Sequence, residues 1–76
     1  MQLKKYLKIN KLSYREFADR MNNPIERALY KLPSRKITFS SIGRWVEGRW
    51  KPNLESMKII QTMTHGKVTM KDFLMD

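Results

Sequence analysis

Residues 37–53 constrain this chain more than any other stretch, because they read as a complete short helix with its own start and stop. Thr38 suits the start, since its hydroxyl can accept a hydrogen bond from a backbone N–H of the first turn. Gly48 suits the end, where a left-handed residue closes a helix at low cost, and Pro52 prevents any continuation. One side carries three apolar residues at i, i+3 and i+4, which are Ile42, Trp45 and Val46. This spacing predicts that the helix packs that side against a core.

The opposite side of the same helix is lightly polar, and the exit from the helix is basic. The outward positions carry Phe39, Ser40, Gly43, Arg44 and Glu47. The exit carries Arg49 and Lys51. A helix with one buried stripe, an open outer face and a basic exit suits the major groove of DNA, which is wide enough to admit a helix. We therefore predict that this helix reads DNA.

The charge balance of the whole chain points to a polyanionic ligand. Sixteen Lys and Arg residues stand against seven Asp and Glu residues, which gives a formal net charge of +9 in a chain of 76 residues. Such an excess costs the folded chain self-repulsion, so a ligand that neutralises it is expected. Nucleic acid is the first candidate and an anionic membrane surface the second, while a merely solvated surface is the alternative.

The sequence offers little for catalysis, metal binding or a membrane span. His65 is the only histidine, cysteine is absent, and no second base or carboxylate pair accompanies His65. We therefore expect no enzyme, no cofactor and no metal site, since acid–base chemistry and zinc sites need several such groups. No apolar run approaches the ~20 residues of a membrane span or resembles a signal peptide. We expect one cytoplasmic domain over residues 1–76.

Two helices are predicted ahead of the stretch described above. The first covers about residues 2–9, and Asn10 is expected to take the left-handed turn that ends it. The second covers about residues 12–22 and begins with a capping box, in which Ser13 is the cap and Glu16 lies three residues on. Its buried side is predicted to carry Phe17, Ala18 and Met21. The small alanine would let a following helix cross at close range.

Residues 23–36 predict an additional helix. Asn23 can cap it, Pro24 suits its first position, and Pro33 stops it near Leu32. Apolar residues follow at helical spacing, namely Ile25, Ala28, Leu29 and Leu32. Because the segment lacks glycine and low complexity, we interpret it as a structured insert with a basic connector at its end.

Two further helices are predicted after Pro52. Asn53 can cap the first, and Gly66 closes it. Its buried side is predicted to carry Leu54, Met57, Ile60 and Met63. The last helix covers about residues 69–75, with Thr69 as cap and Asp72 at the third helical position. Since no strand-like alternation persists, we predict an all-α fold of five to six short helices.

Four fragments of the sequence, taken in order, carry a resemblance to a known family. They are residues 12–18, 37–48, 51–54 and 64–73. The first three resemble the helix-turn-helix of the Cro/CI-like (XRE-type) repressors, and the last is similar to the tail of small phage-type Cro proteins and YdaS-like antitoxins. The resemblance implies a lambda-repressor-like helix-turn-helix domain with an extra inserted helix. It also implies a bacterial or phage-encoded protein without a cofactor.

The chain departs from this family in three places. The family joins its two DNA-binding helices by a turn of about 3–4 residues, whereas residues 23–36 separate the matching helices here. Gly43 costs the helix about 1 kcal/mol relative to alanine. A glycine at this position would allow the helix to approach the floor of the groove closely. His65 stands where these tails usually have glycine. A rival alignment makes residues 24–32 the recognition helix, although Asn23 and Lys31 fit it poorly.

The resemblance implies the DNA contacts by matching position. Base contacts in the major groove are expected from Phe39, Ser40 and Arg44. Backbone contacts are expected from Tyr14, Arg15, Thr38, Ser41, Arg49 and Lys51. Additional backbone contacts are predicted within the insert, from Arg27, Lys31, Arg35 and Lys36. Two positions stay open: Phe39 also suits packing against the insert helix, and Trp50 suits either the surface of the domain or a sugar.

Two functions agree with these patterns. The first is a transcriptional repressor that binds double-stranded DNA, as a homodimer on inverted half-sites about 34 Å apart. Its dimer surface is expected from the tail residues Phe73, Leu74 and Met75 or from the insert. The second is an antitoxin or phage accessory protein whose insert binds a protein partner. In that case the apolar stripe of the insert is expected to be exposed in the free chain.

Overall fold

A computed structural model describes residues 1–74, and these residues form helices and connecting turns without any strand. The helices in order are α1 (Leu3–Ile9), α2 (Tyr14–Met21), α3 (Pro24–Leu29), α4 (Phe39–Val46), α5 (Leu54–Met63) and α6 (Met70–Leu74). The predicted all-α fold is therefore confirmed. Met75, which was expected to end the last helix, lies outside the described residues.

Side-chain caps set the helix starts at the predicted positions. Ser13 Oγ accepts from the Glu16 N–H at 3.1 Å, and the Glu16 carboxylate accepts from the Ser13 N–H at 3.2 Å. This completes the predicted capping box. Asn23, Thr38 and Asn53 cap α3, α4 and α5 with their side-chain oxygens. Each cap satisfies backbone donors that have no partner inside the helix, which is why these starts are readable from sequence.

Two helix ends differ from the prediction. The left-handed residue after α1 is Lys11, with φ of 52°, and the side chain of Asn10 instead donates to a carbonyl of α1. α3 ends three residues before the predicted Leu32, because Lys31 takes the left-handed conformation with φ of 53°. Gly48 has φ of 77° and follows α4 as predicted. Two of these short helices are thus followed by a lysine in the left-handed conformation, where a glycine is more usual.

The core lies where α2, α4 and α5 meet. Its fully buried apolar side chains are Phe17, Ile37, Ile42, Ile59, Ile60 and Val68. α2 packs against both α4 and α5, and Ala18 belongs to the same buried cluster as Ile42. Trp45 and Val46 are partly buried against that cluster, so the predicted inner stripe of α4 is confirmed.

The buried side of α5 differs from the prediction at its first position. Leu54 is 70% exposed, whereas Met57, Ile60 and Met63 are buried as expected and Ile59 joins them. Residues three apart drift by about 60° around a helix at each step, so Leu54 lies about 120° from Ile60. The helix is followed by His65 and Gly66, both left-handed, with φ of 56° and 77°. The histidine therefore keeps the conformation that a glycine would favour at this position.

The two ends of the insert are held together by hydrogen bonds between Asn22, which precedes it, and Ile37, which follows it. The Asn22 side chain donates to the Ile37 carbonyl at 2.6 Å and accepts from the Ile37 N–H at 2.8 Å. One side chain thus satisfies both backbone groups of the residue that follows the insert. Because Ile37 is buried and lies two residues before α4, this closure lets α4 pack on α2 despite the insert.

Candidate nucleic-acid interface

The outer face of α4 is open to solvent. Phe39 is 48% exposed, and Ser40 and Arg44 are also exposed. These are the three residues from which base contacts were expected. No other part of the described chain buries them, so the face is available to a groove. Their roles toward DNA stay predictions.

Two arginines lie over exposed aromatic rings on this surface. The guanidinium carbon of Arg15 is 5.1 Å from the ring centroid of Phe39, and that of Arg44 is 4.5 Å from the ring centroid of Trp50. Both contacts have the geometry of a cation–π interaction, which restrains the cation while leaving its N–H groups in the guanidinium plane. Arg44 therefore presents an oriented fork of donors.

The sequence left two positions open, Phe39 and Trp50. For Phe39 the alternative was packing against the insert helix, and the cation that lies over its ring is Arg15 of α2. Trp50 is 62% exposed and supports Arg44. An exposed indole in this position can also reach a sugar or phosphate without first leaving the core.

Gly43 lies beside an aromatic ring of α2. A Cβ built at Gly43 would lie 3.4 Å from Cε2 of Tyr14, which is an ordinary van der Waals distance. The space next to the glycine is therefore occupied by Tyr14, which is 39% exposed. A methyl group fits there, but a longer side chain would displace the ring. This packing gives a reason for a small residue that differs from the predicted approach to the groove floor.

The remaining candidates near α4 already have local partners. The hydroxyls of Thr38 and Ser41 are 3.0 Å apart, and the Ser41 N–H donates to Thr38 Oγ1 at 3.2 Å. Arg49 pairs with Glu47 at 3.0 Å, with both side chains more than half exposed. An exposed pair of this kind contributes little stability, so Arg49 can exchange its carboxylate for a phosphate.

The prediction that Arg27 contacts the DNA backbone is wrong. Arg27 is 8% exposed and is the only buried residue of α3. Its guanidinium donates to the Met21 carbonyl, to the Pro33 carbonyl at 2.6 Å and to Asn22 Oδ1 at 3.2 Å. Burial lowers the pKa of the Arg27 guanidinium below its usual range, because the charged form loses solvation. The side chain therefore binds carbonyls on both sides of α3 and has its acceptors within the protein.

The other three cations of the insert are exposed, but they lie in two places. Lys31 lies in an open groove beside Pro24, Ala28 and Leu32. Arg35 and Lys36 also reach a second cavity, next to Lys51. Arg35 Nε pairs with Glu55 at 3.2 Å. The sequence contains no pattern that would place the connector beside the turn after α4, because this proximity depends on closure of the insert at Asn22.

The aliphatic side chains of the insert mostly face solvent. Ile25 and Leu29 are 77% and 70% exposed, and only Leu32 packs against the core. In the tail, Phe73 packs against the core, whereas Leu74 is 57% exposed. The tail therefore offers one of its three expected dimer residues at the surface of the described chain, since Met75 lies beyond it.

No family model matches the chain, and neither a curated protein nor a solved structure matches it. The Cro/CI-like resemblance consequently stays a prediction from the four sequence fragments.

Proposed function

We propose that this chain is a sequence-specific double-stranded DNA-binding transcriptional regulator that acts as a repressor. The observation that carries the proposal is the outer face of α4. It places an oriented arginine, a hydroxyl and an aromatic ring in the open, on a chain with a net charge of +9. Base edges in the major groove are recognised by side chains of these types on a helix.

The packing of the helices favours α4 over α3 as the recognition helix. α4 packs against α2 through a buried apolar stripe, as the second helix of a helix-turn-helix does. α3 instead buries an arginine and exposes Ile25 and Leu29, so its outer side has no donors suited to base edges. The rival alignment is therefore the weaker of the two.

Each exposed side chain of α4 has a defined role in this mechanism. Arg44 donates two hydrogen bonds to guanine O6 and N7, Phe39 contacts a thymine methyl, and Ser40 donates to or accepts from a base edge. Each good contact discriminates by about 1–3 kcal/mol. Cations around the face hold the phosphates and fix the register of the helix: Arg15, Arg49 and Lys51. Bound in this way at a promoter, the protein blocks its use.

The resemblance further implies a homodimer on an inverted repeat. Two copies related by a two-fold axis would place their α4 helices in successive major grooves, about 34 Å apart. Sedimentation of the protein with and without an inverted-repeat duplex tests this state directly. Two copies per duplex support the dimer, and one copy per duplex contradicts it.

Selection of bound fragments from a random DNA pool tests the proposed function. We expect enrichment of a common sequence, and an affinity for it that falls steeply with salt because phosphate contacts release counterions. A matched duplex with the enriched sequence scrambled is the control. Weak binding that is equal on all sequences would contradict sequence-specific repression.

The exposed side of α3 favours a second candidate, an antitoxin or accessory protein that binds a protein partner. Ile25 and Leu29 form an aliphatic ridge at i and i+4, next to the groove that holds Lys31. Exposed apolar surface bordered by cations fits an acidic amphipathic helix of the partner. With a charge of +9, a second copy of this chain is a poorer occupant.

Two variants separate the candidates. Leu29→Ser should leave selection of DNA unchanged if α4 carries the function, as should Leu54→Ser, whose leucine is equally exposed at 70%. The second candidate gains support if the wild type enriches no sequence and if Leu29→Ser, but not Leu54→Ser, abolishes function in cells. Function lost equally in both variants would speak against a specific partner surface on α3.

A further inference from the structure

Two basic segments that are distant in sequence meet at one cavity. Its volume is about 290 Å³, and it is lined by Arg35 and Lys36 from the end of the insert and by Lys51 from the turn after α4. Ser41, Trp45 and Trp50 also line it. The family resemblance offers no counterpart for this cavity, because one of its walls belongs to the insert.

The backbone on both sides of the cavity is anchored. Ile37, directly after Lys36, is buried and is hydrogen bonded to Asn22 through both backbone groups. Pro52, directly after Lys51, is also buried. On the same side, the N–H groups of Arg49 and Trp50 donate to the Arg44 carbonyl at 3.1 and 3.5 Å. The cations therefore extend from a fixed backbone, and a ligand has to order only their side chains.

The composition of the lining selects an anion. The residues that line it include three with cationic side chains and Ser41 with a hydroxyl, all of them hydrogen-bond donors, and Arg35 is paired with the carboxylate of Glu55. Glu55 pairs with Nε of Arg35, so the terminal N–H₂ groups of that arginine are not used by this ion pair. A phosphate takes charge-assisted hydrogen bonds from several such donors at once. Its tetrahedral oxygens can meet donors that arrive from opposite walls.

We propose that this cavity binds one phosphate of the DNA backbone, with the end of the insert as one wall and the turn after α4 as the other. The insert thereby adds a phosphate contact beside the recognition helix and fixes the angle at which that helix enters the groove. The assignment to DNA rests on the proposed function. The same donors would bind free phosphate, so the two sources need separate measurements.

The two tryptophans allow phosphate binding in the cavity to be measured without DNA. They are the only tryptophans of the chain, and both line it. We expect inorganic phosphate, compared with chloride at equal ionic strength, to shift their indole N–H signals in a nuclear magnetic resonance spectrum. Lys36→Gln should weaken this response several-fold. Lys58→Gln, which removes one exposed lysine of α5 outside this cavity, should preserve it. An equal response in both variants would overturn the site.

The salt dependence of DNA binding tests the assignment to the backbone. Lys36→Gln should reduce the slope of log affinity against log salt by about 1 on every sequence, since one phosphate contact is lost. Lys58→Gln should leave the slope unchanged. A slope that Lys36→Gln does not change would overturn the inference, even if the protein binds DNA. Failure of the wild type to bind any DNA would contradict the proposed function. A response to inorganic phosphate that Lys36→Gln weakens would in that case assign the cavity to free phosphate.

Discussion

Removal of the Asn22 side chain is the sharpest perturbation of the architecture. In Asn22→Ala, the N–H and carbonyl of Ile37 lose their partners, and Arg27 loses one acceptor. Three bonds at about 1 kcal/mol each predict a loss of roughly 2–4 kcal/mol in the free energy of unfolding. A chain of 76 residues has only about 4–11 kcal/mol in total, so this fraction is large.

Urea denaturation measures this loss, with Asn10→Ala as the matched control. Asn10 is an exposed asparagine at a helix end whose side chain makes one bond, at 2.9 Å, to the Tyr6 carbonyl. Its removal should cost no more than about 0.5 kcal/mol. Hydrogen exchange at the Ile37 amide should accelerate in Asn22→Ala alone. If the two variants lose equal stability and Ile37 stays protected, closure by Asn22 does not hold the insert in place.

Further predictions concern the two glycines around α4 and the carboxylate of α6. Gly43→Ala should raise the free energy of unfolding by up to about 1 kcal/mol, because a methyl fits beside Tyr14 and favours the helix. Gly48→Ala should lower it by about 1 kcal/mol because φ is 77° there, and urea denaturation distinguishes the two signs. The pKa of Asp72 is held below its usual 3.8, chiefly by the hydrogen bond from the Thr69 N–H at 2.8 Å. The stability from this carboxylate is present above pH 3.8 and is lost as the pH falls through the lower value of the folded state. Asp72→Asn should therefore be less stable than the wild type at neutral pH and lose less on acidification; an unchanged acid profile would contradict this.

Local hydrogen bonding explains which parts of the fold were predictable. Ser13 and Glu16 satisfy each other's backbone within four residues, so their pattern holds whatever surrounds the helix. The caps Thr38 and Asn53 work in the same way. The helical period of the apolar residues in α4 is a second local signal, and it correctly predicted Ile42 inside and Arg44 outside.

Features that depend on distant partners were not predictable. The spacing of Ile25 and Leu29 predicts a helix, but which side of it faces inward depends on the carbonyls that Arg27 finds at Met21 and Pro33. The two carbonyls lie on opposite sides of α3 in the sequence and are brought together by the tertiary structure. The placement of Lys36 and Lys51 at one cavity likewise depends on the folded insert, and no spacing in the sequence encodes it.

Within the candidate site, the identities of the exposed residues followed from periodicity, but their conformations did not. Phe39 and Arg44 were expected outward, and both are exposed. The stacking of Arg15 on Phe39 joins α2 to α4, and the stacking of Arg44 on Trp50 joins α4 to the following turn. Contacts between separate elements of this kind require the tertiary structure.

The most direct test of DNA reading by α4 is the affinity of Arg44→Ala for the selected duplex and for the same duplex changed at single base pairs. We predict that the variant loses its preference at one G·C pair, by about 1–3 kcal/mol, and keeps its affinity for scrambled DNA. An equal loss of affinity on all sequences would instead make Arg44 a phosphate contact, and the outer face of α4 would no longer account for specificity.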